Sequence, residues 1–446
     1  VHPRHSRSDI ARCLAHAFLA GVWNEASLAR RGGLALDRRP RWLRAVVRDV
    51  LAAYHRPPAD RPRELAAFVG GAIERQPPDR VPRLQVRRWF IPEPQMGRRR
   101  WPVPQIASVG ELAAILELTD GELAWLADTR SLERIAAGAR LRNYSYGTMP
   151  RAAGPVRVIE RPKSRLKAVQ RRVLHEILDW IPAHERAHGF TRGRSALSNA
   201  AEHTGRRVLV RMDLEDFFAS IQARRIYGIF RTAGYPEAVG HVLTGLTTNV
   251  VPSATWAALP RPAGVRERAA HTALGRRLAT PHLPQGAPTS PALANLAAFG
   301  LDRRLDGLAR AVGATYTRYA DDIAFSGDGL LLLRANEVRA RIGTIARDED
   351  FVVNERKSAL MTRAGRQRVC GIVVNERPNV ARPEYDRLKA ILHNAALRGP
   401  AVENRSGAKD FRAHLLGRIA WVESLNPPRG EKLRARFARI EWPAND

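Results

Sequence analysis

Apolar positions recur along this chain with two different periods. In 10–28 and 41–54 they return every three or four residues, which predicts helices, with Trp23 and Trp42 among the apolar positions. Pro-rich stretches at 56–63 and 76–83 break this region into short pieces. Leu112, Leu116, Leu123, Trp125 and Leu126 predict two or three short helices in 109–138. Leu166, Val169, Val173, Leu174, Ile177 and Leu178 give 156–180 a helical packing face. The pattern then changes. Val208–Met212 is a short apolar run that reads as a buried strand, and 314–326 (ATYTRYADDIAFS) is β-favouring sequence interrupted by two adjacent acids. Past residue 382 the helical period returns through Leu388, Ile391 and Leu392, then Phe411, Leu415, Ile419 and Val422, until Asn426-Pro427-Pro428-Arg429-Gly430 breaks it before a last helix. The expected class is α+β. Solenoid-period repeats and low-complexity tails are not evident.

The acids give this pattern its chemistry. Asp321 and Asp322 fall where two short strands would turn, so the tip of a β-hairpin would hold both rigidly and present them outward. Asp213 ends the earlier strand, where a carboxylate is costly to bury unless it is paired or binds a metal. Acids brought together from separate strands suit a pair of Mg²⁺ ions for nucleotidyl transfer, one activating the attacking hydroxyl and the other stabilising pyrophosphate. Between them, 283–296 (LPQGAPTSPALANL) is a rigid turn followed by Thr289 and Ser290 as helix caps, with Gln285 available to hydrogen-bond a base or sugar.

The acid strand, the PQGxPxSP turn and the YADD hairpin, in this order, resemble the palm of a reverse transcriptase, and the likeness covers roughly residues 140–440. It implies a right-hand polymerase with fingers, an antiparallel-sheet palm and a helical thumb. The expected parts are a mostly helical N-terminal extension (1–105), fingers and pre-palm helices (106–207), a palm (208–378, with a fingers insertion at about 220–282) and a thumb (379–446). It further implies that Asp213, Asp321 and Asp322 hold two Mg²⁺ ions, with Mn²⁺ as a substitute, and that the Leu214 carbonyl completes one coordination sphere. In the family, basic fingers residues close on the incoming triphosphate, and Arg157 and Lys167 are the candidates, although a solvated basic face explains such residues equally well. Phe218 would exclude a ribose 2′-hydroxyl by bulk, with plain core packing as the alternative. Gln285 would shape the nucleotide pocket, and Lys357 would lie near the triphosphate and protonate the leaving pyrophosphate.

Two further elements resemble retron reverse transcriptases. Asn199, Ala200 and His203 match an NAxxH element before the acid strand, and Val369-Cys370-Gly371 stands where these enzymes carry Val-Thr-Gly in a later strand. The resemblance implies that Asn199, His203, Val369, Cys370 and Gly371 recognise RNA, although His203 could equally be structural and Cys370 lacks the threonine hydroxyl. It implies a structured non-coding RNA as template and primer, dNTPs as substrates, and a cDNA joined to a guanosine 2′-hydroxyl as branched RNA–DNA. An effector protein from the same locus, anti-phage defence and a bacterial cytoplasmic location complete that expectation. A stand-alone defence enzyme or a group II intron-like enzyme is the alternative, although the latter usually continues into a DNA-binding region after the thumb. A non-catalytic RNA-binding scaffold is the alternative of another class, and three intact acids argue against it. Phe218 disfavours an RNA-templated RNA polymerase.

Charge strengthens this picture. Lys and Arg outnumber Asp and Glu 74 to 44, a net charge of +30 over 446 residues, which suits salt-sensitive binding of phosphate polymers. In 87–104, aromatics alternate with prolines around Arg98–Arg100; this segment reads as an RNA-contacting strip or as a linker whose aromatics tuck into a neighbouring domain. Lys409, Arg412, Arg418, Lys432, Arg434 and Arg436 suit a thumb that tracks a template–primer duplex, or a solvated helix surface. Cys13 and Cys370 suggest neither a disulfide framework nor a zinc site. No membrane association is expected, because apolar runs stay short of a span and the signal-peptide pattern is lacking.

Overall fold

The computed structural model describes residues 6–76, 84–136, 138–149, 156–405 and 407–442. The chain forms two compact units, Val1–Pro182 with Ile221–Leu293, and Ala183–Ser220 with Ala294–Asp446. The Pro-rich break at 76–83 lies, beyond Gln76, outside the described residues.

In the first unit, helices Arg7–Leu19, Glu25–Ala35, Leu43–Ala53 and Pro62–Glu74 pack around Leu14, Phe18, Leu28, Leu43, Val46, Leu65 and Val69. The helical period at 10–28 resolves into two helices parted at Gly21, where φ is +153°. Ser6 and Asp9 form a reciprocal cap on the first helix, satisfying backbone donors that its first turn leaves open. The buried Arg31 guanidinium donates to the carbonyls of Ala17, Phe18 and Val22, closing that helix's other end. The 87–104 segment forms neither helix nor strand. Phe90 packs against the helices through Cys13, Ala17 and Ala35, while Trp89 stays 45% exposed.

Strands β1 (Tyr144–Met149) and β2 (Arg157–Pro162) then pair as an antiparallel hairpin, with Tyr144 opposite Pro162. Helix Ser164–Arg172 follows, burying Leu166, Val169 and Gln170, and widens into a π-helical turn at Val173–Ile177. Helices Ala223–Thr232, Glu237–Thr247, Ser253–Ala257 and Val265–Leu278 complete the unit.

The second unit holds a four-stranded antiparallel sheet. It is built from β3 (Val208–Leu214), β4 (Thr315–Tyr319), β5 (Asp322–Gly327) and β6 (Val353–Thr362), in the order β4-β5-β3-β6. Strand β3 is central, and its burial at nearly every position explains its almost uninterrupted apolar sequence. A short hairpin, β7 (Arg368–Val369) and β8 (Ile372–Val373), follows. Helices Arg382–Arg398, Phe411–Leu425 and Pro427–Phe437 bury Leu388, Leu392, Leu415, Ile419, Val422 and Leu433 in one core with Leu209, Ala324, Val369 and Ile372. No described helix is long and apolar enough to cross a membrane.

One local expectation changes. Val369-Cys370-Gly371 does not lie within a strand. Cys370 and Gly371 are the two-residue turn between β7 and β8, with φ of +50° and +81°. That pair of left-handed residues matches the twist of a tight hairpin, a geometry usually signalled by Asn-Gly or Asp-Gly and therefore hidden when cysteine stands first.

Candidate active site

The acid hairpin has the geometry its sequence suggests. Strand β4 ends at Tyr319, Ala320 turns the chain with φ of +55°, and β5 begins at Asp322. Register sets Asp322 directly opposite Asp213 on β3. Such partners in an antiparallel pair have Cα atoms about 4.5–5.5 Å apart. The Leu214 N–H donates to the Asp321 carbonyl at 2.9 Å, tying the turn to β3.

Asp213 is 6% exposed, and Lys357 from β6 lies across its carboxylate, with Nζ 3.0 Å from Oδ1 and 3.1 Å from Oδ2. Arg211 Nε lies 4.0 Å from Asp322 Oδ1. The Asp322 carboxyl is pushed up to about 6; burial contributes most, Arg211 opposes it, and the charges of Asp321 and Asp213 add to it. This crowding of anions needs compensating positive charge, and an all-oxygen donor set fits a hard divalent cation. Among the described residues, no three His, Cys, Asp or Glu side chains form a ready-made metal cage.

Beneath the hairpin lies a polar network that sequence reasoning missed. Arg318 on β4 is fully buried and paired with buried Asp302 of helix Phe299–Ala311, through Nε to Oδ1 at 2.7 Å and Nη2 to Oδ2 at 2.6 Å. Its Nη1 donates to the Ala320 carbonyl at 3.0 Å and to Asn295 Oδ1 at 3.1 Å. Tyr316 Oη donates to Asp302 at 2.7 Å, and Asn295 Nδ2 donates to the Gly189 carbonyl at 2.8 Å. A Cβ at Gly189 would come within 2.6 Å of the Ala320 nitrogen, so only glycine permits this approach to the turn. The signal available in sequence was an arginine two residues before Ala320 in an otherwise β-favouring strand. It did not identify Asp302 as partner.

Phe217 and Phe218 take different environments. Phe217 is buried against Phe351 and beneath the Arg318 guanidinium, whereas Phe218 is half-buried and 6.2 Å from the ring of Phe190. Core packing thus falls to Phe217 and leaves Phe218 partly open.

Gln285, Arg157 and Lys167 belong to the first unit. The Gln285 turn is fixed on β2: the Glu160 N–H donates to the Gln285 carbonyl at 2.9 Å, and the Gln285 N–H points to Glu160 Oε1 at 3.3 Å. Buried Glu160 also accepts from Asn249 Nδ2 at 2.7 Å and pairs with His282 Nε2 at 3.0 Å. Burial alone would lower the His282 pKa, but the Glu160 charge and hydrogen bonds to Glu160 and the Thr280 carbonyl hold it above its usual range. Gly286, at φ +134°, lies so close to β2 that a Cβ would meet the Glu160 carbonyl at 2.7 Å. Arg157 is half-buried, with Nε unpartnered, and Lys167 is exposed.

Asn199 and His203, for which RNA recognition is expected, are both interior residues. His203 is fully buried, with Nδ1 2.7 Å from Ser326 Oγ and Nε2 2.7 Å from Thr317 Oγ1. Asn199, 1% exposed, donates from Nδ2 to Cys370 Sγ at 3.3 Å, so the two retron-like elements touch each other. Val369 is buried and Cys370 half-buried, while Gly371 is exposed. A motif fixes residue types but not which way they face.

His203 supplies a pH test. Burial above all, with the charges of His188 and Arg206, lowers its pKa from 6.5 to about 3. An unfolded chain accepts a proton that the folded one refuses, so this site's contribution to folding weakens as pH falls below 6.5, by up to about 1.4 kcal/mol per pH unit. The melting-temperature gap between wild type and H203Q is expected to be largest near pH ~8 and to narrow towards pH ~5 in thermal melts.

Comparison with known proteins agrees with the geometry. The family model described as "Reverse transcriptase (RNA-dependent DNA polymerase)" matches residues 149–389. Retron Mx65 reverse transcriptase of Myxococcus xanthus is 39% identical over 337 residues, covering 76% of this chain and 73% of that protein. Retron Mx162 reverse transcriptase of the same organism is 33% identical, covering 80% of this chain and 71% of the relative. Retron Ec86 reverse transcriptase of Escherichia coli is 32% identical, covering 64% and 77%. With the acid hairpin in register and these relatives matched over most of their length, the chain belongs to the retron reverse transcriptases and is an RNA-directed DNA polymerase.

Proposed function

We propose that this polymerase copies a structured RNA from its own locus into a short cDNA, beginning at a guanosine 2′-hydroxyl of that RNA, and that the branched product serves anti-phage defence with an effector protein in the bacterial cytoplasm. The catalytic part of the reading is carried by one observation: Asp213 and Asp322 stand opposite each other on neighbouring strands, with Asp321 at the adjoining turn. The retron part is supported by the named relatives and by the Asn199–Cys370 contact between the two signature elements.

In this reading the four-stranded sheet is the palm, 379–446 the thumb, 106–207 with the 220–282 insertion the fingers, and 1–105 an N-terminal extension. Asp213, Asp321 and Asp322, with the Leu214 carbonyl, would hold two Mg²⁺ ions or Mn²⁺ in their stead. When bound, these ions supply positive charge at the attacking hydroxyl and the leaving pyrophosphate. The chain's own groups do the remaining work. Lys357, now paired with Asp213, is positioned to give a proton to pyrophosphate once nucleotide enters. Arg157 and Lys167 meet the triphosphate. Gln285, fixed through Glu160, presents a rigid backbone edge to the base pair, and half-buried Phe218 restricts the sugar 2′ position. Asn199, Val369 and Cys370 support RNA recognition by shaping the turn that exposes Gly371, and His203 by tying β4 to β5 through Thr317 and Ser326.

The test is to isolate the protein from its native locus, extract its nucleic acid and treat portions with RNase or DNase. A short DNA covalently joined to structured RNA is the expected product. Bound RNA without a branch, alongside extension of an annealed primer, would overturn self-priming and favour a stand-alone or intron-like enzyme.

A further inference from the structure

A basic groove lies in the first unit, built from helix Ser253–Ala257, the Arg261–Pro262 loop and helix Val265–Leu278. We propose that this groove binds a single-stranded polynucleotide, stacking a base beside Trp256 and holding its phosphates with Arg261, Arg268 and Arg276. The inference rests on the chain being a polymerase of RNA and DNA, but not on how synthesis is primed.

The long helix aims one face at the groove. His271, Thr272, Gly275 and Arg276 stand three, four, seven and eight positions after Arg268, so together they line a single stripe. Trp256 lies against that stripe. Its ring centroid is 4.2 Å from that of His271 at an interplanar angle of 26°, a stacked pair. Gly275 makes this possible: an added Cβ would come within 2.6 Å of the indole Nε1 and 2.8 Å of Cε2. The helix has thus given up a better helix former to seat an aromatic plate. His271 is 7% exposed, and its ring Nδ1 has no hydrogen-bond partner.

Around this plate stand three exposed arginines, and among the described residues none of them forms an ion pair. Arg268 donates to the Ala263 carbonyl, which orients it without neutralising it. Fixed cations around an aromatic surface are the chemistry that recognises single strands, whose bases are free to stack while arginines hold the backbone. The open groove measures about 510 Å³, the scale of a nucleotide-sized ligand rather than of a duplex.

The test uses the full chain and 5-iodouridine-substituted oligonucleotides, one RNA and one DNA, with cross-linked peptides identified by mass spectrometry. Cross-linking within 253–276 of either strand is expected, and the arm that reacts identifies the natural strand. R261A/R268A/R276A changes only exposed side chains. It should weaken oligonucleotide binding at 150 mM salt about tenfold, and it should flatten the slope of log affinity against log salt by about 2, since each phosphate contact on a single strand adds about 0.7. W256L should remove the cross-link, and the arginine variant supplies the answer if W256L does not fold. Cross-links confined to other regions, or unchanged binding and slope in the triple variant, would overturn the proposal. Extension of a short annealed primer–template is followed in parallel. Wild type failing that reaction would undo the catalytic reading while leaving the groove result standing.

Discussion

Replacing Asp321 and Asp322 together with asparagine is expected to abolish primer extension, with a loss of about 10³-fold or more, while the protein stays folded and keeps most of its RNA affinity. The fold should survive because the turn is held by backbone and by buried groups the substitutions do not touch: Leu214 N–H on the Asp321 carbonyl, and Arg318 on the Ala320 carbonyl. The chemistry should not survive, because asparagine keeps the shape but removes the charge on which hard cations depend. Stability carries its own signature. Asp322 has its carboxyl raised from 3.8 to about 6, so the folded state resists its ionisation. That penalty grows as pH rises from about 4 to 6 and is complete above it. The double variant should therefore melt no lower than wild type at pH ~8. Primer extension, thermal melts and RNA titration read the three consequences separately, and any extension near the wild-type rate would refute the assignment of these acids.

The second large effect is expected at Arg318, which touches no substrate in this reading and acts through the turn. Arg318→Met leaves Asp302 charged in the interior without its counter-ion, with only the Tyr316 hydroxyl bonded to it, and breaking a buried pair in this way typically costs about 3–5 kcal/mol. Lost activity in that variant would not separate unfolding from mispositioning. The double variant Arg318→Met/Asp302→Leu does. Removing both buried charges should restore much of the melting temperature, since a buried ion pair can often be replaced by apolar groups at little net cost. Activity should not return with it, because the Ala320 carbonyl and Asn295 have lost their shared donor. A turn that wanders by about 1 Å is enough for roughly a 10²-fold loss. The loss should appear in kcat and in a higher Mg²⁺ requirement, with little change in KM for dNTP. Full recovery of both stability and rate in the double variant would show that Arg318 only fills space.

What could be read from sequence differs with the kind of residue. The placing of Asp213, Asp321 and Asp322 at strand ends was legible because acids conflict with the buried, β-favouring runs around them. The residues that hold those acids in position were not. Asp302 is one charged residue among several on an amphipathic helix, and only the fold reveals that it faces Arg318 rather than water. Glu160 reads as an ordinary polar residue in a basic segment, yet it is 1% exposed and anchors the Gln285 turn. Asn199 and His203 show what a motif leaves out: His203 bonds inward to Ser326 and Thr317 and Asn199 Nδ2 to Cys370, while Asn199 Oδ1 stays unpartnered, none of which the spacing reveals. Cys370 conceals a hairpin turn because cysteine is not a residue that usually advertises a left-handed backbone.

The core that joins Leu209 and Ala324 to Leu388, Leu415 and Leu433 bears on how such an enzyme is made. Strand β3, which carries Asp213, leaves the ribosome long before the helices that cover one of its faces. Until translation has passed Leu433, the sheet lacks part of its hydrophobic cover. A nascent or prematurely terminated chain can thus carry all three acids and all four strands of the sheet while one face of that sheet still lacks the helices that seal it.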